Sequence, residues 1–457
     1  MTEVRHIKVL KRRDIILFSV SAILLLDTVA AGAAIGVSSL TWWVLLGLLF
    51  FIPFSMISAE LGCAFPDQGG IYAWVKRAFG ERWAARITWS YWVNVAVWAP
   101  SIFILFSGVF AQMFWPDMSM TAQIALGLAL TWLTVFVNVI TLELGKWVPN
   151  MGAIIKMIVF LAVIYGAFGY YQENGFANEI TLQSLTPNIG QGVTYIPVII
   201  YGMLGFELVS AGAEEMKNPA RDVPQSIYVS AVIIFGLYFL ATLAVLVAIP
   251  VNEIDLVEGL LDTLAVFFGQ TASGQLFILL LGVGTLYTFF SNGVTWALGC
   301  NRAMAEAALE GEMPAQLGIM HQKRGTPLGA AIALGLVSSV ILLLYGFLAE
   351  NNEDLFWSLF AFSGVIFMIP YVAMMFAFIK LRKCEPNIDR PFRVKGPDWL
   401  VYGMACLCAL ILLATIILFI YVPGEGVQQA VLWGSIFLLL LGEVAIMVAH
   451  RKRQKQS

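Results

Sequence analysis

The strongest constraint on this chain is a recurring one. Long stretches of about 20 residues or more carry almost no charge, and only short polar connections separate them. A helix needs about 20 mainly apolar residues to cross a ~30 Å hydrocarbon core. Inside lipid the backbone must satisfy its own hydrogen bonds, so each stretch is expected to be helical. Twelve are predicted, at about 15–38, 41–64, 87–113, 121–142, 147–170, 192–213, 226–250, 273–300, 327–348, 355–380, 399–422 and 428–449. The composition agrees: 60% of the 457 residues are hydrophobic and 12% are charged, about half the charged share of an ordinary soluble domain. No Ser/Pro linker or low-complexity tract divides the chain, so residues 1–457 are expected to form one membrane domain. The first apolar run is too long for a signal peptide and lacks a convincing cleavage site.

Charge sets the expected orientation. All 26 Lys and Arg except Lys156 fall at the N-terminus, in alternate connections or at the C-terminus. The other connections carry acids, among them Asp117, Glu173, Glu253 and Glu353. The positive-inside rule then puts both termini in the cytoplasm, and the expected location is the cytoplasmic membrane. An even helix count agrees. The net charge of −3 hides this asymmetry and carries no information about partners. No nucleic-acid partner is expected.

The five cysteines avoid the outward connections, so a disulfide framework is not expected. His6, His321 and His450 lie in cytoplasmic segments, and no metal-ligand spacing or Ser-His-Asp or Cys-His set is present. Neither a metal nor a cofactor is expected, and a membrane enzyme is the weaker class.

The informative residues are the polar ones inside the apolar stretches. Asp27 lies in the middle of the first, and a charge at that depth costs about 2.5–3.5 kcal/mol on insertion scales. Small residues follow it from Ala30 to Gly36, where the helix is expected to be weak. The sixth stretch has a matching pattern, Tyr201-Gly202-Met203-Leu204-Gly205-Phe206-Glu207. Paired interrupted helices in two halves of a chain point to a transporter site between them. Glycines in membrane helices also serve close packing, and an acid such as Glu207 can be purely structural. Lys156 is the one base within an apolar stretch. At ~10 residues into its helix it is about 15 Å deep, which makes snorkelling to the edge difficult. A buried ammonium can take the place of a metal cation. Asn94 and Trp98, four apart, share a helix face and suit either a pocket lining or interhelical packing. Trp296 beside Thr295 reads as packing from composition alone. Glu60, Glu143 and Glu443 sit near predicted helix ends, read as interfacial, and have no assigned role.

Four ordered motifs then resemble a known family. They are Glu60-Leu61 … Pro66-Asp67-Gln68-Gly69-Gly70-Ile71-Tyr72, and Gly205-Phe206-Glu207 … Lys217-Asn218-Pro219 … Val223-Pro224. Asn292-Gly293 … Arg302 … Gly311 … Pro314 … Gly325-Thr326-Pro327 and Arg390-Pro391-Phe392-Arg393-Val394-Lys395-Gly396 complete the set. Over nearly its whole length the chain resembles the amino acid–polyamine–organocation (APC) transporters, in particular their arginine/agmatine antiporters and polyamine permeases. The resemblance implies an all-α LeuT-like fold of twelve helices. Two inverted five-helix repeats, about 14–170 and 192–381, would be followed by two helices at about 398–450. It implies alternating access around a site between helices 1, 3, 6, 8 and 10. By position it assigns Tyr201 as a gating aromatic, Gly202 to the helix 6 break, Glu207 as the helix 6 acid and Trp296 as a substrate-stacking ring. Asn94, Trp98 and Ser363 fall on site-lining positions, and Lys156 on the lysine that replaces sodium. Both monomeric and homodimeric relatives exist.

One position departs from the family. The family usually has Gly-Ser/Thr-Gly at the helix 1 break, where exposed N–H groups hold a substrate carboxylate. Here Leu26-Asp27-Thr28 stands there, and a carboxylate in a low-dielectric site repels another carboxylate and attracts an ammonium or guanidinium. The expected function is therefore sodium-independent exchange or proton-coupled transport of small organic cations, such as polyamines, agmatine or basic amino-acid derivatives. Asp27 and Thr28 would bind the cation, and Glu207 would bind a second cationic group or the coupling proton. The alternatives are an amino acid exchanger in which Asp27 binds the α-amine, and a transport-like sensor without flux.

Overall fold

The structure, a computed structural model, describes residues 12–66, 69–140, 142–187, 196–211, 218–254, 259–346, 352–424 and 426–454. The first half comprises α1 (Arg12–Ile23), α2 (Asp27–Ala34), α3 (Ser39–Leu46), α4 (Ile52–Ala64), α5 (Ile71–Phe79), α6 (Glu81–Phe114), α7 (Met120–Ile140) and α8 (Leu142–Asn174). After the short α9 (Leu182–Leu185) come α10 (Ile196–Tyr201), α11 (Glu207–Ala211), α12 (Pro219–Ala248), α13 (Gly259–Phe268) and α14 (Ala272–Leu309). The chain ends with α15 (Leu328–Gly346), α16 (Asn352–Cys384), α17 (Asp398–Ile420) and α18 (Gln429–Gln454). A minimal hairpin, β1 (Tyr421–Val422) with β2 (Gly426–Val427), joins the last two helices.

Among the described residues, nine helices are long and apolar enough to cross a bilayer, and the bent pair α1–α2 adds a tenth candidate. A π-turn at Gly47–Phe51 joins α3 and α4 into one of the nine, Ser39–Ala64. The sixth predicted span consists of two short helices, and residues 192–195 and 212–213 of it lie outside the described residues. The ninth, α15, has a shorter apolar helix at Leu328–Leu344. One connection holds more structure than expected: α5, between the second and third predicted spans, is a helix.

Burial separates centre from edge. The apolar window of α6 is 89% buried, whereas that of α18 is 28% buried. Pro100 lies within α6 and cannot donate to the carbonyl four residues back, Ala96. Ser338 of α15 takes that carbonyl through its hydroxyl at 2.7 Å. A proline is tolerated at this depth because a neighbour satisfies the group it frees.

Glu60 corrects the interfacial reading. It is only 1% exposed. Its two oxygens accept from Arg382 Nε at 2.8 Å and Nη2 at 2.7 Å, and Oε2 also accepts the Val394 N–H at 2.7 Å. Arg390 lies 3.3 Å from Oε1. The carboxylate thus ties α4 to the end of α16 and to the loop that carries the last motif. Glu443 instead pairs with Arg86 at the surface.

Candidate functional site

The first break lies between Ile23 and Asp27, and α1 and α2 are inclined at 49°. A helix end leaves carbonyls without N–H partners. Side chains from three other helices take three in succession. Lys156 Nζ of α8 donates to Ser21 O at 2.7 Å, Trp296 Nε1 of α14 to Ala22 O at 3.0 Å, and Tyr238 Oη of α12 to Ile23 O at 2.6 Å. The same Tyr238 oxygen accepts the Leu25 N–H at 2.7 Å, so one phenol spans the break. Lys156 also donates to Asn292 Oδ1 at 3.2 Å, linking α1, α8 and α14.

The break does not fall where small residues make the helix weakest. Residues 30–34 remain helical, and Gly32 provides close packing: a Cβ there would lie 3.4 Å from Trp43 Nε1. The interruption falls among Leu24, Leu25 and Leu26, where side chains stand ready to accept and donate the freed hydrogen bonds.

Asp27 therefore begins α2. Its Oδ1 accepts the Thr28 N–H at 3.0 Å, while Oδ2 has no partner among the described residues. Lys156 attracts the carboxylate through space. Thr28 is fully buried, and its hydroxyl has no partner among the described residues. Gly202 packs on it so closely that a Cβ would stand 2.8 Å from the threonine side chain.

Residues 202–206 separate α10 from α11. Gly205 has φ +127°, a conformation open to glycine alone, and a Cβ there would meet Ile23 at 2.9 Å and Trp296 at 3.3 Å. The two breaks thus touch at Thr28–Gly202 and at Ile23–Gly205. Glu207 opens α11 and is 2% exposed. Its Oε1 accepts from Tyr91 Oη at 2.9 Å and from Tyr371 Oη at 2.8 Å, and Oε2 has no partner among the described residues.

A continuous series of rings starts beside Glu207, where Tyr371 lies 4.8 Å from Phe367 between centroids. Tyr201 lies 4.6 Å from both Phe360 and Phe367; Phe367 lies 5.2 Å from Trp296, and Trp296 lies 6.2 Å from Trp98, all between centroids. The Tyr201 phenol faces Asn94 and Ser363, while Ser363 Oγ itself donates to Phe360 O at 2.8 Å. Asn94 Oδ1 and Trp98 Nε1 have no hydrogen-bond partner among the described residues.

All ten residues singled out from the sequence are buried. Asp27, Thr28, Asn94, Trp98, Tyr201, Gly202, Glu207, Trp296 and Ser363 gather around the two breaks and the ring series. Lys156 stands behind α1 and reaches its backbone. Five of the ten keep a polar atom in the interior with no partner among the described residues: Asp27, Thr28, Asn94, Trp98 and Glu207. Each such atom costs about 1–3 kcal/mol unless water or a ligand satisfies it. Sequence reasoning missed Tyr91, Tyr238, Phe360, Phe367 and Tyr371. Tyrosine and phenylalanine in apolar helices carry no spacing signal, so nothing marked them.

Known proteins align with this arrangement along almost its whole length. The sequence profile described as amino acid permease matches residues 10–442. The probable agmatine/putrescine antiporter AguD of Lactococcus lactis subsp. lactis is 34% identical over 450 residues, covering 96% of this chain and 94% of the relative. The branched-chain amino acid permease BcaP of Bacillus subtilis is 25% identical, covering 87% and 82%. The aspartate/glutamate permease AcaP of Lactococcus lactis subsp. cremoris is 24% identical, covering 92% and 91%. With apolar helices fit to cross a bilayer and a family match from one end to the other, the chain belongs to the amino acid permease family of the APC superfamily and is a multi-pass membrane transporter.

Proposed function

We propose that this transporter exchanges small organic dications, agmatine and putrescine among them, by alternating access. The observation that carries the proposal is the pair of buried acids at the two helix breaks, Asp27 and Glu207, each with one oxygen unpartnered among the described residues. Lys156, the base nearest by, already directs its donors to Ser21 and Asn292. A substrate with two separated cationic groups would supply what both acids lack. The printed name of the L. lactis antiporter agrees with that substrate class.

In this reading Asp27, with Thr28 and the Gly202 backbone beside it, holds one cationic end. Glu207 holds the other end or exchanges a proton. Tyr201 and Trp296 close over the chain between them, with Asn94, Trp98 and Ser363 lining the path. Cation–π contact contributes about 0.5–2 kcal/mol for each ring. Lys156 takes the place of a sodium ion and keeps α1 against α14 without one. Around the site we place twelve spans in two inverted repeats, 14–170 and 192–381, with 398–450 added, and both termini in the cytoplasm as the basic connections require. Trp296 is bonded to the backbone of α1, so in this scheme its ring moves only as α1 moves.

Reconstitution tests the proposal. Liposomes loaded with putrescine should take up labelled agmatine, and Asp27→Asn should abolish that exchange. Retained agmatine affinity in Asp27→Asn would remove the cation role. Stimulation by amino acids but not by their decarboxylated amines would favour the amino acid exchanger, with Asp27 on the α-amine.

A further inference from the structure

We propose that the groove between α5, the start of α6 and the end of α16 binds an anionic diacyl phospholipid of the leaflet at the basic end of the bundle. The groove encloses about 520 Å³ and is open to the side. Its walls are Val75 and Phe79 of α5, Phe376 and Ile379 of α16, and Trp83 of α6. Along α16, Ala373, Phe376, Lys380 and Lys383 follow at spacings of three and four, so they form one stripe on one helix face. That stripe is apolar toward the middle of the span and cationic at its end. Trp83 is 52% exposed, and indole rings collect at headgroup depth.

The two lysines differ from the arginines around them. Arg77 pairs with Glu385, Arg86 with Glu443 and Arg382 with Glu60. Lys380 and Lys383 are exposed and have no ion-pair partner among the described residues. Each ammonium instead rests near a ring, Phe79 at 4.9 Å and Tyr402 at 5.1 Å. A ring attracts a cation without neutralising it. Two free positive charges at the mouth of an apolar trough call for a ligand that is anionic at one end and a hydrocarbon chain at the other. Basic pockets at the cytoplasmic ends of membrane helices suit phospholipid headgroups for this reason. A free phosphate would leave the Phe79–Phe376 length of the trough unused.

The test uses the full-length protein in detergent, titrated with phosphatidylglycerol or phosphatidylcholine and read by native mass spectrometry. Phosphatidylglycerol should be retained well above phosphatidylcholine. Lys380→Gln/Lys383→Gln should weaken its retention roughly 25-fold, a factor of about five for each lysine. The comparator Lys323→Gln/Lys395→Gln removes the same charge from exposed positions at the same end and should retain the lipid. The melting midpoint of each variant in phosphatidylcholine reports folding separately. Equal loss in the comparator would reduce the effect to diffuse attraction and overturn the proposal. Equal retention of both lipids, or competition by glycerol phosphate as strong as by the intact lipid, would also overturn it. So would a dimer that excludes the lipid, because the face would then be a contact between two copies.

Discussion

A single phenolic oxygen does more for the first break than the acid beside it. Tyr238 donates to Ile23 O and accepts from Leu25 N–H, so its hydroxyl replaces two backbone bonds lost where the helix stops. Tyr238→Phe leaves both groups buried and unpaired, at about 1–3 kcal/mol each. The expected result is a loss of about 2–6 kcal/mol, seen as a lower unfolding midpoint in detergent. An unchanged midpoint would mean that water replaces the hydroxyl. Asp27 and Lys156 were legible from the sequence because charge inside an apolar stretch is rare and expensive. Tyr238, Tyr91 and Tyr371 were not, because their importance lies in which carbonyl or carboxylate they reach across the fold. Glu60 illustrates the same limit: a carboxylate near a helix end reads alike whether it meets water or Arg382, 322 residues away.

At the scale of elements, α5 and the end of α14 form a contact that titrates. Glu310 accepts from Tyr72 Oη and Lys76 Nζ. Glu312 lies 3.2 Å from Lys76 with its side chain fully buried. Burial pushes the Glu312 carboxyl up to about 7, against the pull of Tyr72 and Lys76. The folded state then holds this proton while the unfolded chain, at about 4.5, has already released it. Its contribution therefore favours folding less as pH rises from about 4.5 to about 7, and the penalty is complete above that. Thermal melts across this range should show stability rising toward the acid side, and Glu312→Gln should flatten the slope. A slope unchanged by Glu312→Gln would assign the effect to other groups. The elements themselves were largely readable, since a lipid core demands length and apolarity of every span. The position of the first break was not, because partners on α8, α12 and α14 decided it rather than local helix weakness.

Across the whole molecule, the charge asymmetry makes a prediction about sidedness. Lys323 lies in a basic connection and Asp117 in an acidic one, both exposed. In separate variants with the exposed Cys384 and Cys406 replaced by Ser, Lys323→Cys should react with an impermeant thiol reagent only from inside the cell, and Asp117→Cys only from outside. Reaction from the same side would break the proposed topology. One local irregularity extends over the same scale. The π-turn at Gly47–Phe51 holds one residue more than an α-helical turn. Each residue turns a helix by about 100°. The turn absorbs that residue, so a one-codon deletion within it would restore a regular helix and leave Glu60 facing Arg382, whereas the same deletion in the regular helix between Ile52 and Glu60 would turn the carboxylate about 100° away. The span thus carries one place along its length where the count of amino acids can change without changing which way the rest of it faces.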